Sequence, residues 1–219
     1  MVARNSHVSM DTIRVTGPGS HAVEVWNIDG LTIKQVLARN VGECGLLIQA
    51  STNARVGLVD GDSVAPGTGY ATIRMANNNG QLGDGSCRTN VFMDRIVADG
   101  GGRGIFCVSQ SGGTEIGSIN LSNNGSAILI ENCHGVNIRD RYVNGGGEVR
   151  LTARTEFPNN RDNSITARVN GNSVREQPCG QNINFGVSGN AVVKCLLIAE
   201  KPMCARVYIY EISEKQMCY

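Results

Sequence analysis

Three things are scarce in this 219-residue chain. Aromatic residues make up 5% of it, proline occurs 5 times, and neither sign of charge prevails, the formal net charge being +1. A near-neutral balance excludes the basic field that nucleic-acid or anionic-membrane binding draws on. No run of about eighteen apolar residues occurs, so no segment reads as a membrane-spanning helix. The first twenty residues are polar and broken by Gly and Pro, unlike the apolar stretch of a signal peptide. No Cys-x-x-Cys pair is found, which argues against a structural zinc site. The expected partners therefore include no nucleic acid and no membrane, and no metal ligands are assigned.

Glycine and arginine are what the chain has instead. There are 28 Gly, spread evenly, and evenly spread Gly means many short elements joined by turns. Lys stands only at 34, 194, 201 and 215, so most basic residues are Arg, which clamps carboxylates with paired hydrogen bonds. Eight Cys lie at 44, 87, 107, 133, 179, 195, 204 and 218. Cys107 sits in an apolar strand and reads as a small buried hydrophobe. The four from Cys179 onward suit disulfides of a secreted protein, so the expected location is extracellular, with a leader or earlier coils preceding this chain.

One phrase recurs: a small residue, then alternating apolar residues. It is seen as Ala22-Val-Glu-Val-Trp, Gly45-Leu-Leu-Ile-Gln, Gly104-Ile-Phe-Cys-Val, Ala127-Ile-Leu-Ile-Glu, Gly147-Glu-Val-Arg-Leu and, more loosely, Tyr70-Ala-Thr-Ile-Arg. A turn and a second strand follow each, as in Gly30-Leu-Thr-Ile-Lys and Gly135-Val-Asn-Ile-Arg, and a third short element ends in Asn or Gly. Period-two alternation sends one row of side chains in and one out. Such a unit buries its apolar row only by stacking on copies of itself about 4.8 Å away. The expectation is an all-β, right-handed parallel β-helix of about six coils. Residues 1–176 would form the helix, and 177–219, where the repeat fades, a C-terminal cap or closing segment of the same domain. A β-sandwich is the alternative, but no hairpin dipeptides recur in register.

The Gly125-Ser-Ala-Ile-Leu-Ile, Gly135-Val-Asn-Ile and Asn-Asn-Gly phrases resemble the pectin-lyase-like superfamily of parallel β-helices over about Val8 to Val174. That resemblance implies a carbohydrate-active protein whose substrate lies along the outer face of the first strand of each coil. The family holds pectate lyases, polygalacturonases, tailspikes and non-catalytic adhesins. Of the polygalacturonase motifs only Cys133-His134-Gly135 echoes one, and Asp-Asp is absent.

Alternation names the outward row as Trp26, Gln49, Arg74, Val108, Glu131 and Thr152, with Glu24 and Arg150 beside it. Trp26 and Phe106 would stack on sugar rings, and Arg74 and Arg150 would bind uronate carboxylates. Glu24, Gln49 and Arg103 complete the substrate-binding set. Arg74, Arg150, His134 and Glu131 are the catalytic candidates. Hydrolysis needs two carboxylates about 5–9 Å apart across the bond, and Glu24 and Glu131 lie four coils apart. β-Elimination needs a group that neutralises the uronate carboxylate and a base for the C5 proton, for which Arg74, Arg150, His134, Arg103 and Lys34 qualify. The expected function is thus a lyase on an acidic polysaccharide or oligosaccharide. A non-catalytic or structural β-helix, monomeric or trimeric, and a β-helix recruited to small-molecule chemistry are the alternatives. No cofactor is assigned. Calcium is the cation that Asp60-Gly-Asp62 and Asp84-Gly85 evoke, although it takes six to eight oxygens and turn capping explains both pieces more cheaply.

Overall fold

The computed structural model describes residues 5–76, 88–109, 111–139, 141–144, 147–156, 159–170, 173–188, 192–194 and 208–210. Among these there is no helix. The strands stack into a parallel β-solenoid of about seven turns, a parallel β-helix.

The first sheet runs through β1 (Asn5–Thr16), β3 (Ile28–Val41), β5 (Thr52–Val64), β7 (Arg88–Asp99) and β9 (Gly112–Ser122). It continues through β11 (His134–Ile138), β12 (Arg141–Asn144), β14 (Ser164–Asn170) and β16 (Asn184–Ser188). The second holds β2 (Val23–Trp26), β4 (Leu46–Gln49), β6 (Ile73–Ala76), β8 (Arg103–Val108) and β10 (Ser126–Glu131). It ends with β13 (Glu148–Thr152), β15 (Ser173–Glu176), β17 (Val192–Lys194) and β18 (Tyr208–Tyr210). All pairings are parallel except β17 with β18. The parallel stacking therefore runs past Gln177, where the sequence loses its repeat. β16 pairs with β14 and β17 with β15, although their side chains no longer follow the earlier phrase. Val192–Lys194 is strand; residues 195–200 lie outside the described set.

The inner row of the second sheet is the expected one. Ile105 pairs with Ile128 and Ile128 with Val149, while Cys107 pairs with Ile130 and Ile130 with Leu151. All six side chains are buried, with Leu46, Ile48, Ile73 and Met75 continuing the rows. This apolar column is the core, faced by Leu31, Ile33, Val56, Ile96 and Ile116 of the first sheet.

Corners are fixed by left-handed backbone stacked coil upon coil. His7, Gly30, Asn53, Asn90, Gly113, Gly135, Asp162 and Asn182 all have positive φ, and the register puts them at one corner in successive coils. Asn and Asp tolerate this region because their side chains bond locally. Here they bond along the stack: Asn53 donates to Asp29 at 2.7 Å, Asn90 to Asn53 at 3.3 Å, and Asn182 to Asp162 at 3.0 Å. Buried Asn163 satisfies the corner backbone, accepting from the Val136 amide at 2.9 Å and donating to the Cys133 carbonyl at 3.1 Å. Each such group would otherwise cost about 1–3 kcal/mol.

Cys44, Cys107 and Cys133 are free and buried, and Cys179 is disulfide-bonded, in keeping with the expectation for the C-terminal cysteines. Cys87, Cys195, Cys204 and Cys218 lie outside the described residues. Asp60 pairs with Arg39 at 2.9 Å and Asp62 accepts from Ser63 at 2.8 Å, so both are engaged in the solenoid's own bonding. Asp84 is outside the described residues.

Candidate site on the outer face of the second sheet

Strand register sorts the outward side chains into two rows. One runs Glu24, Leu47, Arg74, Phe106, Leu129, Arg150 and Arg175. The other runs Trp26, Gln49, Ala76, Val108, Glu131 and Thr152. Arg74 therefore does not stand in the row of Gln49 and Val108, where the sequence alignment put it. It stands two residues nearer the start of its strand, in the row of Leu47, because the looser phrase around Tyr70 enters the strand late. Ile73, not Ala71, pairs with Leu46, and the side chain of Thr72 is turned inward against Gly61.

The shift brings charged and aromatic groups together. The Arg74 guanidinium lies 5.0 Å from the centroid of Phe106 and 5.3 Å from that of Tyr70. Arg103 reaches the same Phe106 ring at 4.7 Å and donates to the Gly69 carbonyl. A guanidinium over an aromatic face is held by the ring quadrupole, more strongly when desolvated. Burial holds the Arg103 guanidinium below the ordinary arginine range; nearby Arg74 and Arg150 push the same way, and Glu131 opposes them. Three guanidiniums thus share one patch. The Nε of Arg74 is buried with no hydrogen-bond partner among the described residues.

The remaining candidates are more scattered. Glu131 accepts from Arg154 Nε at 2.6 Å, and that bond neutralises it. Gln49 is buried and donates to Glu24 at 3.0 Å. Trp26 is 47% exposed on the first of these coils, away from Arg150. His134 is not at the edge of this patch. It opens β11 in the first sheet opposite Gly112, its ring filling the space a Gly112 side chain would need, and its charge bears on Asp162. The chain turns the corner at Asn132, in left-handed backbone, and that carries His134 round to the other sheet. Arg74, Arg103, Arg150, Phe106 and, at its rim, Glu131 thus form one constellation; Glu24, Gln49 and Trp26 extend it toward the N-terminal end, and His134 is separate.

This face is not an open polar groove. Leu47, Phe106, Val108 and Leu129 are buried and cluster with Cys44, Ala71 and Ala76, with Tyr70 packed alongside. Burial pushes the Cys44 thiol up to about 11, so it stays protonated and is no nucleophile at neutral pH. Tyr70 was not singled out as a site residue in the sequence. It opens the loose phrase Tyr70-Ala-Thr-Ile-Arg ahead of β6, and nothing local marks it as a partner of Arg74.

Lys34 lies on the first sheet, paired with Asp11 at 3.1 Å. Among the described residues no cluster of three or more His, Cys, Asp or Glu is arranged to hold a metal. Comparison with protein-family models, curated proteins and solved structures gives no match.

Proposed function

We propose that this chain is a carbohydrate-active β-helix of the pectin-lyase-like kind that takes an acidic polysaccharide on the outer face of its second sheet and cleaves it by β-elimination. The observation that carries the reading is the convergence of Arg74 and Arg103 on Phe106, with Arg150 two coils along the same row and close enough for its charge to bear on Arg103. A uronate carboxylate laid against these partly exposed guanidiniums would make charge-assisted hydrogen bonds, which are the strong ones. Neutralising the carboxylate acidifies the proton on C5. A solvent base takes it, the electron pair forms the C4–C5 double bond, and the O4 leaving group departs with a proton from solvent; Arg103, a guanidinium held over Phe106, helps to neutralise the carboxylate.

The buried apolar cluster of Leu47, Phe106, Val108 and Leu129 favours a second reading, a non-catalytic solenoid that uses this face for assembly. A screen on pectate, alginate and similar uronate polymers separates the two. Absorbance from an unsaturated product that disappears in Arg103→Ala and Arg74→Ala supports the lyase. A stable trimer inert on every polymer supports assembly.

A further inference from the structure

The outer face of the first sheet carries a second constellation. Ser9, Thr32, Arg55, Phe92, Glu115 and Asn137 stack in one outward row by register. In the middle of it Phe92 is 45% exposed, with the Arg55 guanidinium 5.4 Å from its ring centroid. Two clefts meet there. One of about 320 Å³ runs from His7 and Gly30 to Arg55 and Phe92. The other, of about 200 Å³, runs from Arg55 and Phe92 past Asp94 and Glu115 to Arg139.

Both clefts share Arg55 and Phe92, so they form one furrow along the solenoid axis. It crosses six coils, from β1 to β11, a length of roughly 24 Å at about 4.8 Å per coil. Gly117 lines the second cleft, and Gly57 and Gly117 lie on either side of Asp94 in the neighbouring row. A Cβ at Gly57 would collide with the Lys34 carbonyl and one at Gly117 with the Asp94 carbonyl, so both positions must stay bare.

A long, shallow furrow with an exposed ring at its centre fits a linear chain rather than a compact small molecule. Its charges say which kind. Arg55 and Arg139 are balanced by Asp94 and Glu115, and Glu115 already accepts from Arg139 at 2.7 Å and from Asn137 at 2.7 Å. A polyanion would meet the two carboxylates unfavourably, and a polycation the two guanidiniums. We propose that this furrow is a binding site for a neutral polysaccharide chain, with Phe92 as its stacking platform and Arg55, Asp94 and Asn137 as hydrogen-bonding groups. It is a second site, independent of the acidic-polymer chemistry on the other sheet.

The test is isothermal titration with hexasaccharides of β-1,4-glucan, β-1,4-xylan, α-1,4-glucan and β-1,3-glucan, with hexagalacturonate as the acidic comparator. The expected result is binding of at least one neutral hexamer, weakened about tenfold or more in Phe92→Ala, restored in Phe92→Trp, and unchanged in Arg150→Ala. Phe92 is an exposed side chain, so circular dichroism of Phe92→Ala should match the parent. No binding by any neutral hexamer, or equal affinity in Phe92→Ala, overturns the proposal. So does hexagalacturonate binding that depends on Phe92. Light scattering on the same samples adds one more outcome that overturns it, in which Phe92→Ala breaks up a self-associated form and the furrow is an interface between copies. Because the variants for the two sheets differ, loss of uronate cleavage and loss of neutral-sugar binding are read separately.

Discussion

Arg74 stands beside Phe106 in the register of the second sheet, on adjacent coils, and its guanidinium rests 5.0 Å from the Phe106 ring centroid. With Arg103 closing on the same ring, one aromatic side chain organises two of the patch's three guanidiniums. If the face performs elimination, Arg74→Ala and Arg150→Ala should each lose about 2–4 kcal/mol of transition-state stabilisation, read as kcat/KM on a uronate polymer. Arg55→Ala, on the other sheet, should leave that value unchanged. Equal losses at Arg55 and Arg74 would place the chemistry elsewhere. Trp26→Ala should weaken binding and spare kcat, since stacking acts on ground and transition states alike.

Ile130 is fully buried between Cys107 and Leu151 in the inner row. Ile130→Ala should cost about 2–5 kcal/mol in urea unfolding, through the cavity it leaves. Ile130→Asp should yield no folded protein, because an unpaired charge would be buried in the apolar column.

The corner at Asn53 tests the stacked left-handed positions. Its φ is 54°, and its side chain bridges Asp29 and Asn90 on the coils to either side. Asn53→Val places a β-branched residue in that region and removes both bonds, and should cost about 2–3 kcal/mol. Asn53→Gly keeps the backbone free of strain and should cost markedly less. Equal destabilisation by the two would show that the side-chain bonds, not the backbone, hold the corner.

Cys44 makes stability fall in alkali. Its folded-state value is raised from 9.0 to about 11 by burial, so in the unfolded chain the thiol ionises first. The stability it contributes is intact below pH 9 and is lost as pH rises from about 9 to 11. The loss is roughly 2–3 kcal/mol, given about 1.4 kcal/mol per pH unit. In Cys44→Ala that component of the alkaline decline should vanish, which paired denaturation curves at pH 8 and 11 would register. Identical declines in both proteins would mean Cys44 is not the titrating group.

Which of these features a reader of the sequence can find depends on how local its cause is. Ile105, Cys107, Ile128 and Ile130 announce themselves as inward because alternation within a single strand decides inside from outside. The positive φ at Asn53, Asn90 and Asn123 follows from residue type and turn position. The solenoid follows in turn, since strands of one repeating phrase have no other way to bury that row. What sits beside what on an outer face is a different matter. It depends on the register between coils separated by more than twenty residues of chain, and one late-entering strand moved Arg74 next to Phe106. One left-handed corner at Asn132 took His134 to the other sheet. The furrow around Phe92 had no sequence signal, because its lining, from His7 to Arg139 and including Gly117, comes together only once the coils are stacked. Sequence alone determined the repeat, the core row and the turns, because burial and backbone preference act within a few residues. Only the tertiary structure decided which charges and rings meet, because inter-coil register is set by the packing of the whole stack.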